Sequence, residues 1–176
     1  MAFRIRHYPH NDLLNLASHH CETIKMKVKN NQLEGITLDC MSCLIALAFA
    51  VEALVNFVGS RKVTDWNEMA KAPSKVAKIA KAVGLDIQPE FEPFSAIYTL
   101  RIIRNGLAHG KPLHKSASAK SSDELAIAMQ APWAPYCTPE QVIALYEQVR
   151  ELRRVLFKSA NIRWVDSLTS AIGSHG

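Results

Sequence analysis

The sequence predicts an all-α fold, an up-and-down helical bundle of about five to six helices with one long insertion loop, and three observations carry that expectation. Apolar residues recur at three- and four-residue spacing along most of the chain, the period of a helix with one buried face. Seven glycines and eight prolines in 176 residues are few for a chain that would have to turn between many strands. Prolines, glycines and capping residues fall at the ends of the periodic segments rather than inside them. The length suits one domain over 1–176, and 48% hydrophobic residues are enough to give it a core.

Leu13, Ala17, Cys21, Ile24 and Val28 form the apolar stripe of a first helix, with Asn11 or Asp12 as its N-cap. Thr37 caps a second helix that runs to Val58, and Gly59 sits where a terminating glycine belongs. This helix is apolar on nearly every face, as the central helix of a bundle should be. Residues 73–83 form a third, with Pro73 in its first turn, a Val76/Ile79/Ala80/Val83 stripe and Gly84 after it. A fourth starts near Pro93 and ends at His109, because Gly110 and Pro112 allow little more. Thr138-Pro139-Glu140-Gln141 is a capping-box pattern that launches the stripe Val142, Leu145, Val149, Leu152 and Leu156. A short last helix is expected over 162–172. Between the fourth and fifth helices, residues 111–137 hold four serines, three lysines and three prolines. They read as the insertion, with a short helix or strand near 124–130.

The composition narrows the function classes. A net charge of +5 suits a polyanionic partner without requiring one. The longest unbroken apolar run, 43–51, is ended by Glu52 and falls short of the twenty or so residues that span a bilayer. The N-terminal residues carry arginines but no apolar core of a signal peptide. The expectation is therefore a cytoplasmic protein that does not engage a membrane. Cys40-x-x-Cys43 lies within an apolar helix with no strand before it, so these residues read as buried thiols rather than a redox pair or a zinc site. Glycine-rich phosphate loops and nucleophile elbows are absent.

Basic residues show more order. Lys71, Lys75 and Lys78 fall within about 60° of one another on a helical wheel, a solvated face or a track for phosphates. In the fourth helix, Ala96, Leu100, Ile103 and Leu107 make the core stripe. Arg101, Arg104, Asn105 and Ala108 then share the opposite face, with His109 at the helix end. That set has a chemistry. RNA carries its own nucleophile, the 2′-hydroxyl, so cleavage needs a proton removed, a proton delivered and charge stabilised on the phosphoryl group. Histidine titrates near neutrality and suits the proton transfers. Arginine suits the charge through its forked donors, and Asn105 could orient phosphate or imidazole. Glu52 completes the set, because a carboxylate in an apolar helix needs a partner, and Arg101 and Arg104 are the nearest candidates.

Arg104-Asn105-x-x-x-His109 resembles the R-N-x-x-x-H form of the motif of HEPN domains, the "higher eukaryotes and prokaryotes nucleotide-binding" superfamily. Those domains are helical bundles with the motif near the end of a late helix. Their apolar second helix with an acidic residue is similar to the helix that carries Glu52. The resemblance spans roughly 11–110, completed by the helix after Thr138. It implies a metal-independent endoribonuclease that needs no cofactor, of a kind common among toxins of toxin–antitoxin pairs and phage-defence proteins. It equally allows a catalytically silent module that binds nucleotide, nucleic acid or a protein partner. Arg104 and His109 lie about 140° apart on a regular helix, so the resemblance also implies a homodimer in which two motif sets face one groove. Lys111 and Lys115 join Lys71, Lys75 and Lys78 as expected RNA contacts. One HEPN subfamily carries a modified tyrosine two residues after the histidine. Lys111 stands there instead, so control by that modification is not expected, though an antitoxin or other regulatory protein remains an expected partner.

Overall fold

A proline in the first turn starts the first long helix: α1 runs Pro9–Lys29, earlier than Asn11 or Asp12 would place it. Asn11 does not cap. Its amide donates to the Ser167 carbonyl and accepts from Arg153 at 2.7 Å, tying α1 to the C-terminal segment. The computed structural model describes residues 2–174 except Lys111, Leu113 and Lys115.

Helix α2 spans Ile36–Lys62 and begins just before Thr37, on Gly35, whose φ of 69° only glycine adopts without strain. It also passes through Gly59 instead of stopping there. A Cβ on Gly59 would lie 2.3 Å from the Trp66 indole, so this glycine makes room for a ring rather than ending a helix. Helix α2 packs against α1, α3 (Ala72–Val83), α4 (Ser95–Ala108) and, further along the chain, Pro139–Ser159. Leu44, Leu47, Leu54 and Val58 are fully buried along it, each contributing about 1.5–3 kcal/mol by leaving water. By length and composition this helix is apolar enough to cross a membrane, with a mean hydropathy of 2.1 over its most apolar window, contrary to what the short run 43–51 implied. Most of that window is covered by the other helices. The bundle is built around it.

The outer helices follow their patterns closely. Gly84 takes the left-handed conformation after α3 and its N–H closes onto the Ala80 carbonyl. Ala96, Leu100 and Ile103 of α4 are buried, and Leu107 packs against the same core. The insertion contains α5 (Ser122–Met129), capped by the Ser121 hydroxyl accepting from the Glu124 N–H. None of its residues is buried. The insertion then returns to the bundle, where Trp133 lies against Gly106 of α4 and Cys137 is buried. Thr138 caps α6 (Pro139–Ser159) by accepting from the Gln141 N–H.

The chain ends differ from expectation. Residues 162–172 form no helix: a 3₁₀ turn at Trp164–Ser167 leads into strand β2 (Ser170–Ser174). It pairs antiparallel with β1 (Ala2–Arg6), Arg4 opposite Ile172. Helix α6 stops at Ser159 because Asn161 takes a positive φ of 46°. A short apolar stretch beyond that break then finds its backbone partners on the other terminus. The fold remains an all-α bundle of six helices among the described residues, with this one small ribbon.

Candidate functional site: a cationic cleft between α2, α3 and α4

The face of α4 opposite its core stripe is only partly open to solvent: Asn105 and Ala108 are exposed, while Arg101 and Arg104 are half-buried. It forms one wall of a cleft of about 310 Å³, with α2 as a second wall and the start of α3 as a third. Arg101, Arg104 and Asn105 line it from α4, Glu52 from α2, and Lys71 and Lys75 from α3 and the residue before it. Between these polar groups the walls are aliphatic, chiefly Val51, Val55, Val76, Ile97 and Leu100.

Glu52 and Arg104 form an ion pair, Oε2 to Nη2 at 2.7 Å. The carboxylate side chain is 43% exposed, so Glu52 sits on the cleft wall rather than inside the bundle. At that exposure the pair contributes little to stability, about 0–1 kcal/mol. What it does is hold one edge of the guanidinium, and among the described residues the other donors have no hydrogen-bond partner. Arg101 has its Nε buried with no hydrogen-bond partner among the described residues. Lys75 is the least expected member. It is only 4% exposed, and its ammonium donates to the Asn56 Oδ1 at 2.9 Å, one turn of α2 beyond Glu52.

The expected lysine track is therefore not one exposed face. Lys71 precedes the helix as its N-cap residue, Lys75 is buried in the cleft, and Lys78 pairs with Asp65 at 2.5 Å. Lys111 and Lys115 lie outside the described residues. His109 stands apart as well: it is the exposed C-cap residue of α4, its N–H bonded to the Asn105 carbonyl, and it does not line the cleft. Helix α4 stays regular to Ala108, so it does not unwind at Gly106 to bring the histidine round toward Arg104.

No group of three or more His, Cys, Asp or Glu that could hold a metal exists among the described residues. All four cysteines are buried and free. Burial pushes the Cys40 thiol up to about 11 and the Cys43 thiol to about 12, with smaller contributions from neighbouring acidic groups and thiols. These are inert, small apolar side chains. Sequence reasoning found the cleft's arginines and Glu52 but missed Lys75 as a buried group. Asn56 was the available signal, a second polar residue on the Glu52 face of an apolar helix. Fold and site together define a class, a helical bundle carrying a cationic cleft with aliphatic walls. No known protein family, curated protein or solved structure matches this chain.

Proposed function

We propose that the chain is a metal-independent endoribonuclease of HEPN type that works as a homodimer, the toxin of a toxin–antitoxin or phage-defence system in the cytoplasm. The observation that supports this most is the fixed Arg104. Glu52 holds one Nη at 2.7 Å, and the guanidinium, beside Asn105, faces a cleft rich in positive charge. A phosphodiester at the free donors would have its developing charge stabilised there. His109, exposed at the end of the same helix, takes a proton from the 2′-hydroxyl or delivers one to the leaving 5′-oxygen. Within one protomer His109 and the cleft are separate, so the dimer supplies the histidine of one copy to the arginine of the other.

RNA incubated in EDTA with purified protein of known mass tests the reading. Wild-type dimers should cut it. His109→Ala should cut roughly 10²–10⁴-fold more slowly, and Arg104→Ala should lose about 3 kcal/mol of transition-state stabilisation. Cleavage that survives both changes, or that is performed by a monomer, overturns the reading. A catalytically silent binding module is favoured by one observation, that His109 does not line the cleft. Wild-type protein that binds RNA in EDTA and never cuts it would establish that alternative.

A further inference from the structure

We infer that the α2/α3/α4 cleft is a surface on which two copies of this chain hold each other, its occupant being helix α5 of the second copy. This contact rests on the homodimer proposed above and not on cleavage. It gives that dimer a partner residue, Asp123, which completes the cleft.

Helix α5 lacks the cover that a short helix needs. Isolated helices of fewer than about 12–15 residues are marginal in water, and α5 has eight residues, none of them buried. Leu125, Ile127 and Met129 are all exposed on it, Ile127 by 67%. The Ser121 hydroxyl caps its first turn but covers no apolar side chain. No residue of α5 lines the cleft of its own chain.

The cleft matches α5 in shape, polarity and charge. Val51, Val55 and Val76 give it an aliphatic wall, and two further apolar side chains stand exposed beside it, Met69 next to Ala70 and Ile102 next to Arg101. About 310 Å³ admits one or two side chains, so a helix would lie across the opening with one side turned in. Among the described residues Lys71 and Arg101 have no ion-pair partner, and the buried Arg101 Nε has no acceptor. Helix α5 carries two carboxylates and no basic residue. Glu124 turns back to its own helix start, where it accepts from the Lys120 N–H at 2.7 Å. Asp123 has no partner among the described residues. It lies within about 40° of Ile127 around the helix, so one side of α5 offers a free carboxylate and an aliphatic group together. Docked on the cleft, Ile127 meets the valines and Asp123 meets the Lys71 ammonium and the Arg101 guanidinium.

Both surfaces belong to every copy, and neither is covered within it. A two-fold axis lets each α5 cover the other copy's cleft, so one contact is made twice and the assembly closes at two. The insertion begins after Ala108 and returns where Trp133 lies against Gly106. Helix α5 is thus tethered at the end of α4 that also carries Arg104 and Asn105, and each copy gives and receives there.

Carbodiimide coupling tests the contact. It joins a carboxylate to an amine only where they touch, forming an amide while the reagent takes up the water lost. Isotopically light and heavy protein would be mixed, left to exchange subunits, coupled, and read by mass spectrometry of the linked peptides. An Asp123–Lys71 link should appear with one light and one heavy partner, in protein that light scattering shows to be a dimer. Both residues are exposed, so their charges can be reversed without disturbing the core. Asp123→Lys should weaken dimerisation at least about tenfold, and adding Lys71→Asp should restore it. Ile127→Asp should weaken it as well. A dimer that lacks the mixed link and is indifferent to Asp123→Lys overturns the inference and leaves the homodimer standing. A link found only within one chain makes α5 the cover of its own cleft and overturns it too. A monomer in light scattering overturns the homodimer and this contact with it.

Discussion

Glu52 shows how one residue can matter for position more than for stability. Its pair with Arg104 is solvent-accessible, so losing the charge should barely change folding. The guanidinium, released from that edge, would sample several rotamers instead of one. Glu52→Gln is therefore expected to melt within a few degrees of wild type, by roughly the 0–1 kcal/mol of an exposed pair. Its RNA cleavage should fall at least about tenfold, with the loss in kcat rather than KM. Steady-state kinetics beside a melting curve would check this. A lowered melting point with unchanged kcat would mean that Glu52 only braces α2 against α4.

At the scale of an element, α2 sets two ordinary rules against each other at Gly59. Alanine in place of glycine inside a helix normally gains up to about 1 kcal/mol. Here the added Cβ would fall 2.3 Å from the Trp66 ring, far inside contact distance. The ring packs against the core and cannot swing aside freely. Overlap should win, and Gly59→Ala should destabilise by about 1–3 kcal/mol in urea unfolding. On a Trp66→Ala background the same change should become neutral or stabilising, since only helix propensity would be left. Destabilisation of equal size in both backgrounds would place the cost in the helix backbone.

For the whole molecule, the expected pH limit comes from a residue that does not line the cleft. His10 is 1% exposed, enclosed by Tyr8, Phe57 and Phe157, and neither ring nitrogen has a hydrogen-bond partner among the described residues. Burial, helped by the nearby Arg153 charge and opposed by Asp12, lowers its pKa from 6.5 to about 4. Because the folded value is below the unfolded one, the unfolded chain takes up a proton first as pH falls. Stability is then full above about 6.5 and declines between there and about 4, by roughly 3 kcal/mol in total. Urea unfolding at a series of pH values should show this limb, and His10→Phe should flatten it by about that amount. An identical acid limb in the variant would assign the loss to carboxylates instead.

Local pattern was enough for most of the architecture, because a helix is specified by residues three and four apart. The stripes of α1, α3, α4 and α6, the all-round apolar face of α2, the glycine after α3 and the Thr138 cap were all legible for that reason. The polar groups that meet in the cleft from α2 and α4 were legible too: Arg101, Arg104 and Asn105 on one helix, Glu52 on the other. Other features depended on residues distant in sequence. Residues 170–174 became a strand because the N-terminal strand lay beside them, and backbone pairing of that kind leaves no periodic trace in so short a segment. Gly59 stayed helical because Trp66 needed its space. Lys75, on a face that read as solvated, was enclosed because α3 packs across α2 at Asn56. Which polar groups meet, and how far water is kept from them, was settled by packing between elements.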